Sequence, residues 1–300
     1  MTEAEFLAAL RTLPLHPGAL DLTDDAARLG DLVLTSDTIV EGVHFLLGDP
    51  PGDVAWKLVA VNLSDLAAKG AVPEAVMLSY PLGDGDWDRA FVAGLGEALA
   101  AFDCRLLGGD TVSLPAGTPR VLTLTAIGRA GPASPARGGA RAGDALYVTG
   151  TIGDAGAGLR IARGEAEPDA LLAAYRRPHA RLTEGAALAP IVHAMMDVSD
   201  GLLIDAQRMA AASGVAITID LAAIPLSPGY RAFTGDDRAA RLAAATAGDD
   251  YQLLFAALPG QPIPVAATRI GRVASGAGLT LVDGDTTIPI PTRLGFEHAG

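Results

Sequence analysis

The sequence predicts an α/β (α+β) protein of two domains, residues 1–136 and 137–300. Three observations carry this. Short apolar or alternating runs of strand length alternate with longer helical stretches along the chain. A segment rich in Gly, Pro and Ala, residues 131–143, interrupts that alternation and marks a boundary. The 300 residues are 50% hydrophobic, enough to bury a full core, yet no window of about 18 uninterrupted apolar residues offers a membrane span.

Taken in order, Thr2-Glu3-Ala4-Glu5 fits a capping box and opens a helix through about Leu13, where Pro14 and Pro17 end it. Residues 23–27 form a polar turn before a short strand, Asp31-Leu32-Val33-Leu34. Asp53 can cap a helix over residues 53–69, and Gly70 stops it. Asn62 and Asp65, spaced i, i+3, share one face of this apolar helix. Strands follow at 74–80, 104–107 and 120–127, with a helix over 86–102. The first half therefore reads β-α-β-α-β-β. The second half opens on a strand at 144–149. Helices are predicted at 154–163, 169–176, 181–188, 202–212 and near 237–246, and strands at 193–196, 215–220, 251–257, 267–273 and 279–282.

The formal charge is −13, with 35 acids against 22 bases, and only two of the bases are lysines, Lys57 and Lys69. A field of this sign argues against nucleic acid or an anionic membrane as partner. If the ligand is a phosphate compound, that field would repel it, and bound divalent cations would bridge the two. The single cysteine, Cys104, excludes an intramolecular disulfide framework and a Cys-based zinc site. The N-terminus lacks a basic start and apolar core, so the expected setting is the cytoplasm.

Carboxylates recur beside Ser, Thr or Gly at the predicted ends of elements. They are Asp24-Asp25, Thr35-Ser36-Asp37, Asn62-Leu63-Ser64-Asp65, Gly108-Gly109-Asp110-Thr111, Asp197-Val198-Ser199-Asp200-Gly201 and Gly248-Asp249-Asp250-Tyr251. Oxygen donors without a Cys or His cluster favour Mg²⁺, Mn²⁺ or Ca²⁺ over zinc. The five histidines (His16, His44, His179, His193, His298) are scattered. No contiguous calcium loop is present, and Mg²⁺ is the expected ion, completed by water and phosphate oxygens. Gly108-Gly109 would allow a backbone to approach an anion. The stretch Thr149 to Gly158 lacks the Gly-Lys-Ser/Thr end of a P-loop, so its glycines read as helix–sheet packing. Arg137, in the linker, offers a guanidinium to a nucleotide phosphate.

These motifs, in this order, resemble the thiamine-monophosphate kinase family from about residue 3 to 298. Asn62 to Ala68 and Ser36-Asp37-Thr38 with His44-Phe45 are the most specific. The resemblance implies an N-terminal mixed sheet that pairs into a barrel in a homodimer, followed by a C-terminal α/β sandwich. It implies ATP-dependent phosphorylation of thiamine monophosphate by Mg²⁺-assisted direct in-line transfer. It implies a Mg²⁺ shell of Asp25, Thr35, Ser36, Asp37, Asp65, Asp110, Asp197 and Asp200. Gly109, Asp110, Arg137 and Ser199 would contact ATP, and His44, Asp249 and Phe296 the thiamine phosphate. Thr23 replaces a usual Gly, Asp249 a more usual Glu, and Phe296 a frequent Tyr or Trp. Two alternatives stay open: another ATP-dependent member of the wider superfamily, such as a purine-pathway synthetase, or an inactive Mg²⁺-nucleotide-binding regulator.

Overall fold

The computed structural model describes residues 1–165 and 169–297, so His298 lies outside them. Helix α1 (Glu3–Leu10) begins at the expected capping box. The Thr2 hydroxyl accepts from the Glu5 amide at 3.3 Å, and the Glu5 carboxylate takes the Thr2 amide at 2.8 Å. It ends one turn earlier than the prolines require, and a 3-10 stretch at Pro17–Leu22 follows.

The N-terminal sheet comprises β1 (Ala27–Leu29), β2 (Leu32–Val40), β3 (Val72–Leu82), β4 (Arg105–Ser113) and β5 (Val121–Arg129), in the order β1-β2-β5-β3-β4. Helices α2 (Pro51–Ala68) and α3 (Gly85–Ala101) pack together, and α2 lies against β2 and β5. The C-terminal half holds β6 (Ala145–Thr149), α4 (Asp154–Ala162), α5 (Asp169–Arg176), α6 (Leu182–Leu188), β7 (Ala194–Val198), α7 (Leu202–Ser213) and β8 (Ala216–Asp220). It continues with α8 (Pro228–Thr234), α9 (Arg238–Ala245), β9 (Gln252–Ala257), β10 (Ala267–Ala274), β11 (Gly278–Asp283) and β12 (Thr286–Ile288). These strands form a seven-stranded mixed sheet, β12-β11-β8-β10-β6-β9-β7.

Three strands differ from the sequence expectation in a way that matters for the site. β2 continues through Val40, so Thr35, Ser36 and Asp37 lie within a strand rather than at its end. β4 contains Gly108 to Thr111, and β7 contains Asp197. Pairing with β5 satisfies the backbone at these polar positions (Thr35 opposite Ala126, Asp37 opposite Leu124) and outweighs their low strand propensity. β1, α8 and β12 were not predicted. The Ser227 cap and Pro228 at the first turn of α8 were its available signal.

Helix α2 is the axis of the molecule. Most of its residues are buried, including Lys57, Asn62 and Ser64, because the N-terminal sheet covers one side while α6, β7 and β9 approach the other. Its Ala67 and Ala68 pack into an apolar cluster with Leu188, Met195, Leu253 and Phe255, joining the two halves. Close helix packing in the C-terminal half depends on Gly158, where an added Cβ would sit 2.0 Å from the Leu171 carbonyl oxygen. The glycines after β6 thus include a packing position, as read from the sequence. At the opposite edge of the molecule β4 is exposed along its whole length, with Leu106, Leu107 and Val112 open to solvent.

Candidate active site

A cleft of about 910 Å³ opens where the two halves meet, and acids from both line it: Asp25, Asp37 and Asp65 from the first, Asp197, Asp200 and Asp249 from the second. Strand alternation turns Thr35 and Asp37 to one face of β2 and Ser36 to the other. The Thr35 hydroxyl donates to Asp65 Oδ2 at 2.5 Å, and the Asn62 side-chain oxygen accepts the Asp37 amide at 2.9 Å. The i, i+3 pair on α2 therefore grips β2 rather than facing water. Two residues on, the buried Ser64 hydroxyl donates to Asp197 Oδ2 at 2.7 Å. One helix turn thus sets the spacing between the acids of β2 and of β7.

The electrostatics divide these acids in two. Asp25 is flanked by Lys69, whose Nζ lies 2.6 Å from Oδ2, and by Arg137, whose Nε donates to Oδ1 at 3.0 Å. Burial alone would raise its pKa, but these two cations outweigh it and hold the carboxyl below its ordinary value. Asp37 has no such partner among the described residues. Burial first, then the charges of Asp200 and Asp25, push it up to about 6. Asp65 and Asp197 are raised well above their ordinary range, again chiefly by burial and then by neighbouring carboxylates. A buried group of mutually repelling oxygens is the donor set a hard divalent cation relieves. Among the described residues no three carboxylates meet closely enough to hold an ion unaided. That suits Mg²⁺, which keeps waters and takes ligand phosphate oxygens.

A pH dependence follows. Asp37 keeps its proton to about pH 6 in the native chain but releases it near 3.8 when unfolded. Its raised pKa therefore lowers stability as pH rises from about 4 through about 6. In chelator, melting is expected to weaken across that interval and Mg²⁺ to restore it at pH 8. A melting curve in chelator that strengthens steadily over this range would contradict the assignment.

His44, Asp249 and Phe296 come together at one end of the cleft. The Phe296 amide donates to the Asp200 carbonyl at 2.8 Å, and its ring centre lies 6.2 Å from that of His44. His44 Nδ1 accepts the Val40 amide at 3.0 Å, so that nitrogen carries no proton. Asp249 Oδ2 takes Lys57 Nζ at 2.7 Å, and Oδ1 takes the Tyr251 hydroxyl at 3.0 Å. Its neighbour Asp250 faces away and receives the Gly153 amide on both oxygens (3.0 and 2.9 Å), anchoring the start of α4.

Other expected residues are placed differently. Ser36 lies at the cleft wall, but its hydroxyl pairs with Thr125 at 3.0 Å on the far face of β2. Arg137 and Ser199 line the cleft, and Arg137 is committed to Asp25. Gly109 and Asp110 do not line it. They sit on β4, three strand spacings from β2, or roughly 14 Å. Gly109 is required by contact with β3, since a Cβ there would meet the Leu78 carbonyl oxygen at 1.8 Å. The sequence reading missed Asp205 and Arg208. The buried Asp205 accepts the amides of Asp200 and Gly201 (3.1 and 3.2 Å), and Arg208 bonds both Asp200 and Asp205. Their i, i+3 spacing on α7 was the only signal. It also missed the roles of Lys57 and Lys69, although both lysines fall on the i, i+4 stripe that holds Asp65.

Family descriptions match the chain in two parts: AIR synthase related protein, N-terminal domain, over residues 23–130, and the C-terminal domain over residues 141–284. The thiamine-monophosphate kinase of Caulobacter vibrioides is 40% identical over 305 residues, covering 94% of this chain and 86% of that protein. A solved structure of AaThiL complexed with AMPPCP and TMP superposes with a TM-score of 0.88 at 30% identity, covering 99% of this chain and 97% of that one. Thiamine monophosphate kinase from Aquifex aeolicus gives a TM-score of 0.82 at 31% identity, over 95% and 97% of the two chains.

Proposed function

The chain belongs to the thiamine-monophosphate kinase family, within the AIR synthase related proteins, and from that membership we propose that it transfers the terminal phosphoryl group of ATP to the phosphate of thiamine monophosphate, giving ADP and thiamine diphosphate. The observation that carries this reading is the convergence of acids from both halves in one cleft, several of them (Asp37, Asp65 and Asp197) without a paired cation among the described residues.

The chemistry suits those residues. The acceptor is a phosphate monoester, already ionised near neutral pH, so no general base is needed, and His44, which lines the cleft, has its Nδ1 occupied by the Val40 amide. What the reaction needs is alignment of two anionic groups that repel each other. Bound Mg²⁺ would supply the neutralisation. Asp37, Asp65 and Asp197, with Asp25, Asp200 and Thr35, would hold it, while Arg137 and Ser199 face the nucleotide. His44, Asp249 and Phe296 would seat the acceptor, with the phenyl ring against its cationic heterocycle. Ser36 can join the metal shell through its hydroxyl only by giving up Thr125.

Gly109 and Asp110 enter this reading through a homodimer. An exposed, apolar edge strand such as β4 invites pairing with a second copy. Joined sheets forming a barrel would bring the partner's strand toward the cleft, where its Gly109 and Asp110 could reach the nucleotide. The division at residues 136/137 then separates a dimerising half from one that closes the cleft. The reading places the enzyme in the reduced cytoplasm.

A coupled assay of ADP release tests the reaction. Thiamine monophosphate should support turnover, whereas formylglycinamidine ribonucleotide should not; the reverse result would favour a purine-pathway activity. Cys104→Ser is expected to retain near-normal turnover, because Cys104 is buried in the N-terminal core and does not line the cleft. Lost activity in a folded Cys104→Ser protein would point to thiol chemistry instead.

A further inference from the structure

We propose that Lys57 is the positioning residue for the acceptor, fixing from behind the cleft wall the groups that seat thiamine monophosphate; this rests on the function proposed above. Lys57 is 2% exposed and cannot touch a ligand in the cleft. Its Nζ donates to the His44 carbonyl at 2.9 Å and to Asp249 Oδ2 at 2.7 Å, and lies 4.2 Å from the centre of the Tyr175 ring. One buried ammonium therefore holds two of the three residues assigned to the acceptor, with an aromatic face closing its remaining side.

The Asp249 turn needs such an anchor. Asp249 and Tyr251 both have left-handed backbones, with φ of 68° and 49°, a costly state for residues other than glycine. Their amides hold the turn to the Ser199 and Val198 carbonyls at 2.7 and 2.8 Å, while Lys57 and the Tyr251 hydroxyl orient the carboxylate itself. The Asp249 side chain remains 28% exposed, so it still faces the cleft.

The helix gives the arrangement its second property. Lys57, Val61 and Asp65 fall on one stripe of α2 at four-residue intervals, with Lys69 capping the end of the helix, and Val61 and Asp65 line the cleft. Lys57 anchors the acceptor end and Asp65 the acid cluster, eight residues or about 12 Å along the same rigid element. Acceptor and acids are thereby kept in register by one helix. An arginine at position 57 would not reproduce a compact point donor in a closed space.

The test compares wild type with Lys57→Met, Lys57→Arg, Asp249→Asn and the Lys57→Met/Asp249→Asn double variant in steady-state assays of both substrates. Lys57→Met is expected to raise KM for thiamine monophosphate about 10- to 100-fold, the scale of a lost charged hydrogen bond, with KM for ATP changed less than about twofold. Lys57→Arg should not rescue it. The double variant, which leaves no unpaired buried charge, should be no worse than the worse single variant. If Lys57→Met does not fold, the double variant and Asp249→Asn carry the same comparison. An acceptor KM that is unchanged, effects that multiply in the double variant, or equal shifts in both substrates would overturn the inference alone. A wild-type protein with no thiamine monophosphate turnover would overturn the underlying function as well.

Discussion

Asp37→Asn and Asp65→Asn are each expected to lower thiamine monophosphate turnover by roughly 10³-fold or more, while melting in chelator at pH 8 stays the same or rises. The loss is on the scale of removing one preorganised charge-stabilising group from a phosphoryl-transfer site. The stability result follows from the raised pKa of both acids. At pH 8 the Asp37 carboxylate is held against burial and against its neighbours, and at either position a neutral amide removes the tendency to repel the surrounding acids. Activity and apo stability should thus move in opposite directions. A purely structural acid would lose both together. Turnover and melting measured on the same preparations decide between the two, and near-normal activity in saturating Mg²⁺ would dismiss the metal assignment.

Lys69→Met is expected to destabilise the protein by about 3–5 kcal/mol, a fall in melting temperature on the order of 10 °C. Lys69 is nearly inaccessible and pairs with both Asp24 and Asp25. Its Nζ also donates to the Met195 carbonyl at 3.3 Å, tying the end of α2 to β7 in the other half. Burial opposes its charge, yet the two aspartates prevail and raise its pKa. Without the ammonium, Arg137 alone must balance two buried carboxylates. Adding Asp24→Asn to Lys69→Met should recover part of the loss, because it removes one unpaired charge. Thermal unfolding of the single and double variants provides the check. A single variant melting within about 2 °C of wild type would show that the lysine is dispensable.

The sequence disclosed the chemistry of the cleft better than its geometry. Asp25, Asp37, Asp65, Asp197 and Asp200 stand out because acids beside Ser, Thr or Gly have no reason to recur in apolar surroundings unless they share a ligand. The alternation of β2 could not be seen, because polar Thr35-Ser36-Asp37 reads as a loop until β5 pairs with it; Ser36 was therefore grouped with residues from which its side chain points away. Asp205 and Arg208 look like an ordinary solvated pair on a helix, and only the packing of the Asp200 turn over α7 gives them partners. Gly109 and Asp110 belong to a recognisable motif whose strand nevertheless lies at the far edge of the sheet, a fact that depends on strand order and not on spacing along the chain. Lys57 was legible only as a rarity, one of two lysines, since its contacts are 13 and 192 residues away.

The central claim is that these acids bind divalent cations between two phosphoryl compounds. Anomalous diffraction from crystals grown with Mn²⁺ and a non-hydrolysable ATP analogue tests it most directly. Mn²⁺ peaks are expected among Asp37, Asp65 and Asp197, beside the analogue's phosphates. A fully bound nucleotide with no anomalous peak within coordinating reach of those three carboxylates would contradict it.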